Sequence, residues 1–175
     1  MTTFEILNEV AKVKFLEFLV IGGHAVNAYG YSRYTADVDI LIKKGDRADW
    51  LASLATKGLS LYHDGGAFLQ MSSPPGFDTL DLMVVETETF KKLSANPKCL
   101  KVGELSMAVP SLENLFVLKF HVLQQNVPRR GYKDLMDVLS LADCNAVDLR
   151  SDKFRELCEK FGSKEIYERI LAFKG

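Results

Sequence analysis

The chain has 175 residues, 47% of them hydrophobic and 26% charged, the size and makeup of one globular domain with room for a small helical appendage. Its 22 Lys and Arg against 23 Asp and Glu leave a formal charge of −1, which excludes a global field for nucleic acid or an anionic membrane and confines any polyanion to a local patch. No apolar run approaches the roughly 18 residues of a spanning helix and no basic-then-apolar leader opens the chain, so a cytoplasmic protein without a membrane partner is expected.

In chain order, residues 3–13 have the periodicity of a short amphipathic helix, and residues 15–21 are rich in β-formers up to the break at Gly22-Gly23. Residues 24–29 suit a short helix, and residues 37–42 alternate acidic and aliphatic side chains as a half-buried strand does. Gly45-Asp46 is a turn and expected N-cap for a helix to about residue 56, carrying Trp50, Leu51 and Leu54. Residues 59–63 and 67–72 read as a hairpin around Asp64-Gly65-Gly66, residues 72–76 as a loop, and residues 78–85 as another strand. From residue 111 three helical patterns follow, 111–125, 131–143 and 151–173, the last broken at Gly162. The expected division is an α/β core over residues 1–110 and a helical part over 111–175, packed as one unit because no flexible linker separates them.

Cys99, Cys144 and Cys158 are scattered, as are His24, His63 and His121, so the spacing offers neither a disulfide framework nor a histidine metal site. Carboxylates are more informative. Residues two apart on a strand share a face, so Asp37 and Asp39 project together while Val38, Ile40 and Ile42 face the core. Two like charges side by side repel and call for a cation. Asp81, within Thr79-Leu80-Asp81-Leu82-Met83-Val84-Val85, can bring a third carboxylate from a neighbouring strand, and carboxylate oxygens suit magnesium, or manganese in its place.

In the helical part, Leu112, Leu115, Phe116, Val122 and Leu123 form an apolar stripe with Lys119 in its middle. A lysine there belongs only with an anionic partner: it either snorkels to an edge or faces the active-site cleft as a phosphate ligand, and Asp134, at the margin of the next helix's stripe, could orient it. Arg129, Arg130 and Lys133 form a small basic cluster that could grip a polyanion.

The segment Val20-Ile21-Gly22-Gly23-His24-Ala25-Val26, with Arg33-Tyr34-Thr35-Ala36-Asp37-Val38-Asp39-Ile40-Leu41 after it, resembles the signature of the nucleotidyltransferase superfamily. The likeness is to its "GG-x-A … R-x-T-x-D-x-D" branch, which includes uncharacterised bacterial nucleotidyltransferases and toxin components of abortive-infection toxin–antitoxin systems. It implies an α+β fold, a mixed β-sheet with flanking helices followed by C-terminal helices. It also implies that Gly22 and Gly23 approach triphosphate oxygens, that Asp37 and Asp39 carry magnesium, and that Asp81 helps position the attacking group. His24 stands where many members have serine and is, with Arg33 and Thr35 of the motif, a candidate nucleotide contact. In toxin-like relatives a helix lysine and a later aspartate join the site, roles that carry to Lys119 and Asp134.

The expected activity is metal-dependent transfer of a nucleoside monophosphate from a nucleoside triphosphate to an acceptor, which could be an RNA end such as that of tRNA, a protein or a small molecule. A toxin using this chemistry and silenced by an antitoxin is an alternative. A catalytically inactive nucleotide-binding module is the other.

Overall fold

The computed structural model describes residues 2–125 and 128–174, with the side chains of residues 128–130 left outside the description. The side chains of Arg129 and Arg130, which the sequence groups with Lys133, therefore lie outside the described residues. The chain divides into two compact units. One comprises the residues up to Ala28 together with Arg33–Ser111, the other Tyr29–Ser32 with the residues from Leu112 onward.

The first unit opens with helix α1, Thr3–Lys14, started by a reciprocal capping box: the Glu5 amide donates to Thr2 Oγ1 at 3.2 Å and the Thr2 amide to Glu5 Oε2 at 2.6 Å. Its buried face carries Phe4, Ile6, Leu7 and Val10. Phe15, at φ 54°, closes the helix in the left-handed conformation, and both its amide and that of Leu16 return to the Ala11 carbonyl. Those residues are therefore spent on the cap, and strand β1 is only Phe18–Val20, shorter than the expected 15–21.

Strand β1 lies beside β2 (Asp37–Lys43); β3 (Ser60–Asp64), β4 (Phe68–Ser72) and β5 (Thr79–Val85) complete a five-stranded sheet of order β1-β2-β5-β4-β3. Strands β2 and β5 are parallel, and the other pairs are antiparallel. Val38, Ile40, Leu41, Ile42, Leu80 and Leu82 are fully buried, as expected of a central parallel pair covered on both faces. Helix α2 (Gly22–Ala28) follows β1, and α3 (Arg47–Thr56) buries Trp50 and Leu54. A 3₁₀ turn at Lys44–Asp46 precedes α3; Asp46 makes no capping bond and pairs with Lys43 at 3.4 Å. The β3–β4 hairpin forms where expected, its turn held by the Gly66 amide donating to Asp64 Oδ1 at 2.9 Å.

Helix α4 (Thr87–Leu93) and a separate hairpin of β6 (Lys98–Val102) and β7 (Leu105–Val109) fill a stretch in which no element is expected from periodicity. Helix α4 is too short to show a full amphipathic repeat. Strand β6 is exposed or half-buried throughout, which erases the two-residue alternation that marks a strand.

The second unit contains α5 (Leu112–Gln124), α6 (Pro128–Cys144), α7 (Asp152–Phe161) and α8 (Lys164–Lys174). Phe116, Phe120 and Phe154 meet in its core, the last edge-on to the other two. Crowding requires glycine at the break, because a Cβ at Gly162 would lie 2.8 Å from the Cys158 carbonyl oxygen and 3.2 Å from Phe120 Cβ. Asn145 Nδ2 donates to the Tyr29 carbonyl at 3.0 Å, fastening the short 29–32 segment to this unit. Among the described residues no helix is long and apolar enough to cross a membrane.

Candidate active site

The site candidates of the first unit lie where β2, β5 and the start of α2 meet. In register, Asp37 is opposite Thr79 and Asp39 is opposite Asp81. Paired residues of neighbouring parallel strands face the same side, as do residues two apart along one strand, so Asp37, Asp39 and Asp81 share a face. Their exposure is graded: Asp37 is open to solvent, Asp39 is half-buried, and Asp81 is 8% exposed.

The glycine pair belongs to the same construction. The Ile21 amide donates to the Asp39 carbonyl at 2.9 Å, extending the β1–β2 pairing and laying the next residue across Asp39. Gly22 has φ +59°, and a Cβ built on it would stand 1.9 Å from Asp39 Oδ2. Only glycine accepts both that conformation and that proximity. A Cβ on Gly23 would meet Thr35 Oγ1 at 2.6 Å and Arg33 Nη1 at 3.1 Å, so the Arg-x-Thr part of the motif packs against the second glycine. The glycines are the first residues of α2, two residues before the expected helix start at residue 24.

Asn27 fixes the loop that carries these residues: its Nδ2 donates to the Arg33 carbonyl at 2.9 Å, and its Oδ1 accepts from the Arg33 amide at 3.0 Å. Arg33 Nη1 donates to the Tyr34 carbonyl at 3.3 Å, and Thr35 Oγ1 to the Asp37 carbonyl at 3.3 Å. Asn27 has no motif to mark it in the sequence; an amide side chain just before a loop is the available signal. His24 is half-buried and meets the Phe4 ring edge-on at 4.9 Å. Burial pulls its pKa down, Asp78 opposes that and Arg33 reinforces it, so the ring is neutral at neutral pH and can still donate one N–H.

Among the described residues no group of three or more His, Cys, Asp or Glu side chains is placed to hold a metal ion, so Asp81 does not complete a three-carboxylate set with Asp37 and Asp39. Magnesium rarely needs such a group; it is commonly held by one or two carboxylates with water and substrate phosphates completing its shell. The oxygen donors of Asp37 and Asp39, on one strand face beside a backbone with no side chain at position 22, fit that pattern.

Lys119 and Asp134 belong to the second unit. Lys119 is 7% exposed, and its ammonium donates to Asp134 Oδ1 and to Asp137 Oδ2, each at 2.7 Å. The anionic partners that a lysine within the Leu115, Phe116, Phe120, Leu123 stripe requires are thus two aspartates of its own unit, and its burial needs no phosphate to explain it. Asp137 is 1% exposed, and its spacing of three from Asp134 puts both on one helical face.

No family model matches the sequence, and comparison with curated proteins finds no match either. Solved structures do match. The aminoglycoside enzyme ANT(2″)-Ia, in complex with adenylyl-2″-tobramycin, is 16% identical with a TM-score of 0.56 over 97% of this chain and 92% of its own. An antigenic nucleotidyltransferase-like protein from Paracoccidioides brasiliensis is 15% identical, TM-score 0.57, over 99% and 88%. The lincosamide antibiotic adenylyltransferase LnuA, bound to lincomycin, is 11% identical, TM-score 0.57, over 84% and 99%. The chain has the fold of the nucleotidyltransferases.

Proposed function

We propose that this protein is a nucleotidyltransferase that moves a nucleoside monophosphate from a nucleoside triphosphate to an acceptor oxygen. The observation that carries the reading is that strand register sets Asp37, Asp39 and Asp81 on one sheet face, with the side-chain-free backbone of Gly22 against Asp39. A triphosphate needs a divalent cation, and carboxylates on one face beside a backbone that approaches them this closely support that reading.

In this reading Asp37 and Asp39 hold magnesium, or manganese, which supplies charge neutralisation to the triphosphate. Gly22 makes room for Asp39 and Gly23 for Thr35 and Arg33, and those two residues, with the Arg33 backbone held by Asn27, would border the triphosphate. Asp81 accepts the acceptor's proton as its oxygen bonds to the α-phosphorus, and the bond to the β-phosphate bridging oxygen breaks to release pyrophosphate. His24 lends an N–H or a packed wall. Lys119 and Asp134 serve the stability of the helical unit, with no step assigned to them.

A small-molecule hydroxyl is the first acceptor class to test, because the fold neighbours include an enzyme captured with adenylylated tobramycin and another with lincomycin. Incubation with each α-³²P-labelled triphosphate and fractionated cell extract tests the reading. Label entering small molecules, RNA or protein, and absent with Asp81→Asn, supports transfer and names the class. Growth arrest on expression, relieved by Asp39→Ala, would add the toxin role. Triphosphate binding with no label in any fraction would instead favour the inactive binding module.

A further inference from the structure

The three carboxylates of the sheet face are held by different means. Asp39 is wedged against Gly22, and Asp81 is buried between β2 and β4, its register partners being Asp39 and Gln70. Asp37, the first residue of β2, is exposed, and packing of that kind does not fix it. Its Oδ1 accepts a hydrogen bond from Thr79 Oγ1, the hydroxyl of its own register partner on β5.

We propose that Thr79 is a positioning residue for Asp37: its hydroxyl fixes the carboxylate so that Oδ2 is presented to the cation. This rests on the metal-dependent reading above. Threonine suits the task because branching at Cβ restricts χ1, so the donor itself is held. One oxygen of Asp37 is occupied by the hydroxyl and the other stays available, the arrangement by which outer-shell partners orient ligating carboxylates. Orienting an exposed carboxylate beforehand removes a rotamer cost that the ion would otherwise have to meet.

The test is titration of Mn²⁺ alone into metal-free protein, followed by the electron spin resonance of the free ion, for wild type, Thr79→Val and Thr79→Ser, with thermal melting of each metal-free sample. Outer-shell changes typically weaken metal binding about 10–100-fold, and because this pair is exposed the expected loss in Thr79→Val is about 10-fold, with Thr79→Ser close to wild type. In an Asp37→Ala background Thr79→Val should have no further effect on Mn²⁺ affinity, since the group it positions is gone. A merely structural threonine would lower the melting temperature of Thr79→Val and leave Mn²⁺ affinity unchanged, which overturns the inference. Wild type that binds no Mn²⁺ would instead overturn the metal reading itself, and this inference with it.

Discussion

The carboxylate of Asp39 occupies the volume that a side chain at position 22 would need: a Cβ on Gly22 would lie 1.9 Å from Asp39 Oδ2. Gly22→Ala therefore carries two penalties, a left-handed conformation that costs a non-glycine residue about 1–2 kcal/mol and displacement of Asp39. The expected result is a folded protein with a lowered melting temperature and lost triphosphate binding, read by circular dichroism and calorimetry. Unchanged binding would show that the Asp39 side chain can leave its place without consequence.

The Lys119, Asp134 and Asp137 cluster makes a stability prediction independent of any ligand. Lys119→Met removes the cation between two buried carboxylates, and breaking a buried ion pair from one side costs about 3–5 kcal/mol. Urea unfolding should show that loss, and combining Lys119→Met with Asp134→Asn and Asp137→Asn should recover much of it. Full stability in the single variant would mean that the carboxylates find other compensation.

His24 gives the stability a pH dependence of known sign. Its folded pKa is lowered below the ordinary 6.5, first by burial and then by Arg33, with Asp78 acting the other way. The unfolded chain thus binds the proton more readily, so this contribution is complete above about pH 6.5 and is lost as pH falls through the folded pKa. Chemical denaturation across pH 5 to 8 should show that fall, and His24→Gln should remove that part of it.

The cysteines should separate in reactivity. Cys99 and Cys144 are exposed, whereas Cys158 is buried, with its pKa pushed up to about 12 by burial first and Glu159 second. A disulfide reagent at pH 8 should modify Cys99 and Cys144 in the folded protein and reach Cys158 only on unfolding, because the thiolate is the reacting form. Rapid modification of Cys158 would indicate that α7 opens readily.

Much of this fold was legible where local chemistry and burial agree. The alternation of Asp37-Val38-Asp39-Ile40 gave β2 because one face is carboxylate and the other core, and Gly162 marked the end of α7, where a Cβ would run into the Cys158 carbonyl. Phe15 misled because a β-forming residue was used as a left-handed helix cap, a tertiary choice that overrides propensity. The Asp39–Asp81 pairing was expressible only as two strands each carrying an aspartate; their register is a long-range fact. Thr79 and Asn27 stayed invisible for the same reason, since each acts on a backbone or carboxylate brought to it by folding. Lys119 reads from the sequence as needing an anion, with a phosphate expected and Asp134 to orient it, while its pairing with both Asp134 and Asp137 became evident only with the helix faces in place.

The most direct measurement is calorimetric titration of the four nucleoside triphosphates, with magnesium, into wild type and into an Asp37→Ala/Asp39→Ala double variant. The account predicts magnesium-dependent binding of at least one triphosphate to wild type and its loss in the folded double variant. Equal binding by both proteins would contradict it, because the triphosphate would then be held without the carboxylates on which the reading depends.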